Sequence, residues 1–348
     1  MSDVGRSMSS QLLIGFPGAN IAENMNADFT FWGAWVRIGI YVGAGFARVE
    51  AVLELVRSAA DGGLDSVFLN QVLGWDALTV AGLAVRDVPE IELGTAVVQT
   101  FPRHPIALAS QALTVAAAAG SNRFTLGVGP SHPQIIESNF GMSYERPAHH
   151  VREYLSVLMP LLRGEAVDYQ GRTIRAAGTV DVPDAVAPPV LLAALGPVML
   201  RIAGELADGA VTVWSTPRIV AEHVVPHVSV AAAMVGRPAP RIAAVVSASV
   251  TDEPVEFRQQ LAQQLAQVSA LPSYREFLDR QGLSGVHETA LVGDEATVAD
   301  GIHAFANAGV TDLLVSIRGD AESRDRTLKL LSALRRAGTD PAPTGSSS

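Results

Sequence analysis

The chain carries eight short apolar stretches between residues 36 and 317, each followed by a segment of helical character. They are Val36–Val42, Leu64–Leu69, Ile91–Val98, Arg123–Gly129, Pro189–Leu195, Ala210–Trp214, Arg241–Val250 and Leu313–Ile317. Apolar and polar residues do not alternate along them. Each therefore reads as a strand buried on both faces, the pattern of a parallel sheet. Helices are expected over Ala47–Ala60, Asp76–Val85, His104–Ala119, Pro197–Ala207 and Arg324–Ala337, and from about Tyr144 and Pro217. Residues 255–282 and Asp294–Ala308 give two more, in one long connection. Eight such units predict an α/β protein with a (β/α)8 TIM barrel. The rhythm lengthens after strands four and seven, where insertions are expected. After strand four these include a small hairpin around Tyr169-Gln170-Gly171-Arg172-Thr173. A doubly wound sheet is the competing arrangement, because Gly43-Ala44-Gly45 follows strand one. A dinucleotide fingerprint would want a third glycine where Arg48 stands, and an acid where Asn70 and Gln71 stand.

The barrel is expected over residues 36–338. Residues 1–35 read as a poorly ordered or loosely packed extension, and the Pro/Ser/Gly-rich stretch 339–348 as a disordered tail. The first 35 residues hold no apolar run long enough for a membrane span and no signal-peptide pattern. A formal net charge of −10 argues against a nucleic-acid or anionic-membrane surface. The absence of cysteine excludes disulfides, thiolate metal sites and a cysteine nucleophile, and it fits a reducing cytoplasm.

In a barrel, function gathers at the C-terminal ends of the strands. Here those ends are Val42-Gly43, Asn70-Gln71, Val97-Val98-Gln99, Gly129 to His132, Ala194-Leu195-Gly196, Trp214-Ser215-Thr216, Ser249 to Thr251, and Ile317-Arg318. The rim offers no histidine at the end of strand one for a metal hydrolase, and no pair of carboxylates for a glycosidase. Glycines, hydroxyls, amides and one histidine suit a large, preformed organic cofactor better. Gly127 and Gly129 lack a Cβ and would let a ligand approach the backbone. His149 and Glu153 have i, i+4 spacing for a metal but no third ligand, so they read as a solvated helix face and no metal is assigned. Arg103 and His104 either reach a cofactor tail or begin a helix.

Several segments together resemble the bacterial-luciferase-like superfamily. They are Val36-Arg37-Ile38-Gly39-Ile40, Gly94-Thr95-Ala96-Val97 with His104-Pro105, Asn122 to Gly129, Leu291-Val292-Gly293-Asp294, and Ala308-Gly309-Val310-Thr311-Asp312. Pro130-Ser131-His132-Pro133 and the stretch Tyr144 to Leu155 look like the branch that uses the deazaflavin coenzyme F420. The resemblance implies a barrel with insertions, and hydride transfer between the deazaflavin and a small organic substrate. It also implies a homodimer.

The resemblance further implies a bulge with a non-prolyl cis peptide at Ala96–Val97, with Val97 and Val98 backing the cofactor ring. Gly127, Gly129 and Ser131 would shape the pocket. Ala194, Leu195, Gly196 and Pro197 look like the family's phosphate-binding turn, with Ser215 and Thr216 supplying hydroxyls. Independently of the family, Pro197 is a good first helical residue, and free amides at a helix start favour an anion. His132 is the candidate proton donor or acceptor, since imidazole titrates near neutrality, and Gln71, which would help shape the reaction pocket, is the second catalytic candidate. Sugar-phosphate-oxidising members carry a histidine at the end of strand two, where this chain has Asn70-Gln71, so that activity is not expected. An FMN-dependent monooxygenase on the same fold is the alternative, and a barrel that binds cofactor without turnover is a third.

Overall fold

A computed structural model describes residues 36–43, 48–120 and 122–338. The expected N-terminal extension and the tail from residue 339 lie outside the described residues.

The elements follow the chain as β1 (Arg37–Val42), α1 (Val49–Asp61), β2 (Ser66–Leu69), α2 (Ala77–Asp87), β3 (Glu92–Thr95), β4 (Val98–Gln99), α3 (Pro105–Ala119) and β5 (Phe124–Gly129). The first insertion holds α4 (Pro133–Ser138), α5 (Pro147–Leu162), β6 (Val167–Gln170) and β7 (Arg175–Gly178). Then come β8 (Val190–Ala193), α6 (Pro197–Leu206), β9 (Gly209–Val213), α7 (Pro217–Ile219), a π-turn (Val220–Val224), α8 (Val225–Met234) and β10 (Arg241–Val250). The second insertion holds α9 (Pro254–Gln264), α10 (Ala266–Ser269), α11 (Pro272–Gln281), β11 (Leu291–Gly293) and α12 (Glu295–Asn307). The last pair is β12 (Asp312–Ile317) and α13 (Ala321–Ala337).

The order β12-β1-β2-β3-β5-β8-β9 closes through β9–β10 and β10–β12, all parallel. This is the expected (β/α)8 barrel, with insertions after its fourth and seventh strands. β9 pairs with β10 over Arg241–Val245, and β11 takes up the ladder at Ala248–Val250. The third strand is broken. Gly94 faces Thr125, but Val98 faces Val128, so four residues on one side span three on the other. That is a β-bulge, and the Ala96–Val97 peptide inside it is cis, as the resemblance implied.

Strand periodicity sorts the side chains into two cores. Phe68, Ala96, Leu191, Val211, Ala243, Val245 and Leu314 fill the lumen, with Tyr41, Val97 and Val213 half-buried against them. A larger shell packs strands against helices, and there the α5 stripe Val151, Leu155, Leu158 and Leu162 is buried. At the N-terminal end, ion pairs lace the strands together. Arg37 pairs with Glu92 (2.5 Å), Arg241 pairs with Asp312 (2.6 Å), and Arg241 donates to Thr125 Oγ1 (2.9 Å). Charge therefore closes the floor, and the opposite end is left for a site.

Four local expectations change. The loop after Gly129 contains a short helix, α4, because Pro133 fits the first helical position. Residues 255–282 form three helices, since the chain turns at Leu265 and again before Pro272. Leu291–Gly293 pairs as a strand. Glu153 is not on a solvated face: it is 4% exposed. Its carboxylate accepts the backbone N–H groups of Arg172 (2.7 Å), Thr173 (2.7 Å) and Ile174 (3.1 Å), and the Thr173 hydroxyl (2.7 Å). Burial opposes its charge, but these hydrogen bonds outweigh it and bring the pKa down to about 2. Glu153 thus fastens the β6–β7 hairpin to α5, and His149 lies 3.0 Å from the same carboxylate.

Candidate functional site

A cavity of about 400 Å³ opens at the C-terminal ends of β5 and β8. Ser131, His132, Ala194, Leu195 and Gly196 all line it, so five of the sequence-selected residues meet there. Its far wall comes from the second insertion, through Tyr274 and Phe277 of α11.

The bulge leads into this cavity. A Cβ on Gly129 would lie 2.9 Å from Val97 Cγ2 and 2.8 Å from Ala193 Cβ. Val97, Gly129 and Ala193 therefore form a continuous close-packed seat from the lumen to the cavity wall. A Cβ on Gly127 would stand 1.9 Å from the Thr95 carbonyl oxygen. The Thr95 hydroxyl also accepts from Gly127 N–H (2.9 Å) and donates to its carbonyl (2.8 Å). The glycines were expected to admit a ligand. Here the space at Gly127 is taken by Thr95, and the space at Gly129 by the bulge itself. Ala96 and Val98 are buried around Val97.

His132 stands at the start of α4. Its Nε2 lies 3.0 Å from the Tyr274 hydroxyl, and its Nδ1 lies 3.4 Å from Ser273 Oγ. Burial lowers the imidazole pKa and raises the Tyr274 phenol to about 12. At neutral pH the phenol keeps its proton, and with that proton directed at Nε2 the imidazole proton sits on Nδ1, facing Ser273. The Tyr144 hydroxyl donates to Ser131 O (2.6 Å), and Ser131 sits in the left-handed region at φ 64°. Together these contacts fix the loop that carries His132.

The turn before α6 is open. Gly196 makes no side-chain cap, and a Cβ built on it would meet nothing within 4 Å. Pro197 occupies the first helical position and lacks an N–H, so the next free amides, at Val198 and Met199, head the helix. Such a helix start accepts an anion. His223 Nε2, in the π-turn, donates to the Leu195 carbonyl (2.9 Å) and braces the turn from behind.

Other selected residues are engaged elsewhere. Gln71 Oε1 accepts from Ala77 N–H (3.0 Å) at the start of α2 and lies 3.5 Å from Arg103 Nη1. Arg103 pairs with Asp76, and His104 Nδ1 accepts Ile106 N–H (3.3 Å) at the start of α3. Of the two readings for that pair, the helix start is the one seen. The Ser215 hydroxyl meets Thr212 Oγ1 (2.7 Å) in the barrel wall. Thr216 donates through its N–H (2.8 Å) and its hydroxyl (3.1 Å) to Gln281 Oε1, whose amide donates to Trp214 O (2.9 Å). Gln281 thereby staples α11 over the cavity. Tyr274 and Gln281 were not singled out from sequence. They fall in a connection whose only legible signal was helical character.

A model of the luciferase-like monooxygenase family matches residues 29–312. A Mycobacterium tuberculosis protein named as a coenzyme F420-dependent oxidoreductase is 30% identical over 201 residues, which span 53% of this chain and 58% of that relative. The chain thus spans less than two thirds of that relative's length. The coenzyme F420 dependent tetrahydromethanopterin reductase of Methanopyrus kandleri superposes with a TM-score of 0.73 at 24% identity, over 86% of this chain and 98% of that one. A monooxygenase from Streptomyces bottropensis superposes at 0.71 with 20% identity, over 88% and 100%. At these identities the superpositions show a shared fold.

Proposed function

The chain belongs to the luciferase-like monooxygenase family, and from that premise we propose that it is a coenzyme F420-dependent oxidoreductase acting on a small organic substrate. One observation carries the reading. The seat made by Val97, Gly129 and Ala193 reaches the cavity through Ala193, and the same cavity takes in Gly196 and Met199 at the open start of α6. A flat ring on the seat and an anionic tail on the Val198 and Met199 amides fit that path. The Mycobacterium tuberculosis relative, named for the same coenzyme, supports the choice.

The deazaflavin, when bound, supplies a carbon that takes up or gives a hydride. The protein's own part is positioning and proton handling. Val97 and Ala193 back the ring. The amides of α6 hold the phosphate, and His223 keeps their turn in place. His132 is the proton carrier. The Tyr274 hydroxyl can pass its own proton to the half-buried Nε2 as it takes one from a substrate hydroxyl that is oxidised, and the reverse direction returns it. α11 flanks the entrance and limits water.

An FMN-dependent monooxygenase is the second reading, favoured by the family's description and by the Streptomyces fold. Fluorescence titration of the full chain with F420 and with FMN, side by side, decides between them. Tight binding of F420 alone is expected. Preference for FMN moves the protein to the monooxygenase reading, and binding of neither removes both.

A further inference from the structure

A second cavity, about 960 Å³, opens over the ends of β1, β10 and β12, and Tyr41, Ser316 and Arg318 line its floor. Arg318 directly follows β12, where its N–H still donates to the Ala248 carbonyl (2.9 Å), and it continues the two-residue period of Leu314 and Ser316 on the lumen side. In β10, Ser247 and Ser249 share the face of the lumen residues Ala243 and Val245. The two serines are 2% and 0% exposed, and neither hydroxyl has a hydrogen-bond partner. Arg318 Nε is likewise buried without one, and no carboxylate among the described residues pairs with the guanidinium. Ser249 lies against this arginine's own turn, since a Cβ on Gly319 would meet its hydroxyl at 3.0 Å. A half-buried guanidinium with an orphaned Nε beside two orphaned buried hydroxyls is costly, and such groups call for a partner such as a ligand or ion.

We propose that Arg318, Ser247 and Ser249 bind the carboxylate of a small organic acid that is the substrate. This deepens the oxidoreductase reading and rests on it. Tyr41 packs against the lumen cluster, lines this cavity and lies within electrostatic reach of both Arg318 and Tyr274, which sets Arg318 at the same barrel mouth as the His132–Tyr274 pair. A carboxylate on Arg318 would leave the rest of a small molecule to extend towards that pair. One arginine matches one negative charge, and its planar fork matches a carboxylate. The outer cavity carries Glu54, Glu253, Glu256 and Asp320. That acidic entrance opposes anions in proportion to their charge, so a monocarboxylate is disfavoured less than a phosphate dianion or a nucleotide.

Calorimetric titration of the full chain with benzoate, benzamide and inorganic phosphate tests this. Benzoate is expected to bind, and benzamide and phosphate are not. Arg318→Met should weaken benzoate roughly tenfold to a hundredfold, Arg318→Lys less, and Ser249→Ala several-fold. Without ligand, Arg318→Met should melt no lower than the parent, because it removes an uncompensated buried charge; that separates lost binding from lost folding. F420 affinity should be unchanged in Arg318→Met. Equal binding of benzoate and benzamide, tighter binding of phosphate, or benzoate affinity untouched by Arg318→Met would overturn the proposal. So would loss of F420 binding in that variant, which would assign Arg318 to the cofactor. If the parent binds benzoate through Arg318 but not F420, the oxidoreductase reading fails and the carboxylate site stands.

Discussion

The Nε2 of His132 lies 3.0 Å from the phenolic oxygen of Tyr274, across 142 positions of sequence. One residue comes from the loop after β5 and the other from α11, so the insertion completes the site. Burial lowers the His132 pKa, and a donor hydroxyl on Nε2 favours the neutral ring further. A histidine-resolved NMR titration should therefore find His132 half-protonated below the ordinary value near 6.5. Tyr274→Phe removes the donor and should move that midpoint upward. An unshifted midpoint in the parent would end the argument for a poised base. Once a substrate is found, His132→Ala should lower kcat by roughly 10²- to 10⁴-fold with little change in F420 affinity.

Glu153 carries the structural counterpart. Glu153→Ala leaves the hairpin amides of Arg172, Thr173 and Ile174 unpaired, and should cost about 2–4 kcal/mol, with early proteolysis in the 170–175 turn. Acid should act in two steps. The pKa of His150 falls to about 4 through burial, partly opposed by Glu153 and aided by His149. Its folded pKa lies below its unfolded one, so stability declines as pH falls from about 6.5 towards 4. Glu153, at about 2, adds stability above its ordinary value near 4.5 and loses it as pH falls from there towards 2. Urea unfolding at stepped pH should show both windows in the parent and a smaller lower one in Glu153→Gln, where Asp76 and Glu288, also held below their ordinary values, still titrate. An unchanged lower window in that variant would refute the assignment.

The two glycines of β5 should part company on substitution. A methyl on Gly127 meets a backbone carbonyl at 1.9 Å, which cannot yield without moving the bulge. Gly127→Ala should cost about 3 kcal/mol or more. On Gly129 the neighbours are side-chain carbons of Val97 and Ala193 at 2.8–2.9 Å. That variant should fold with a smaller loss, about 1–2 kcal/mol, and displace the seat, so its F420 affinity should fall. Equal melting temperatures for the two variants would contradict the packing.

What the sequence made legible was whatever depends on local pattern. Unbroken apolar runs marked the barrel strands, and the four-three-four spacing of Val151, Leu155, Leu158 and Leu162 marked the buried face of α5. Pro197 after Gly196 marked a helix start free of a side-chain cap. The cis bond at Ala96–Val97 came through family resemblance, since nothing in those two residues demands it. What stayed hidden depends on distant partners. Glu153 looked solvated because backbone amides in a hairpin turn leave no mark in sequence. The place of Gln71 at a strand end was visible, and its bond to Ala77 was not. Tyr274 and Gln281 reach the site only because α11 folds back over it. Arg318 was visible on the rim, but not its lack of a partner.

The open turn before α6 gives a prediction in which stability and binding move apart. Gly196 has φ −84° and ψ 159°, a conformation any residue adopts, and a Cβ there touches nothing. Gly196→Ala should leave the fold intact, or stabilise it by about 0.4–1 kcal/mol by restricting the unfolded chain. A phosphate drawn to the Val198 and Met199 amides would meet the new methyl. F420 affinity should therefore drop while the melting temperature holds or rises. Met199→Pro deletes one of the two amides and should weaken the coenzyme as well, though at a cost to the helix. If Gly196→Ala binds F420 as tightly as the parent does, the phosphate does not sit at this turn, and the tail of the coenzyme must be sought elsewhere on the rim.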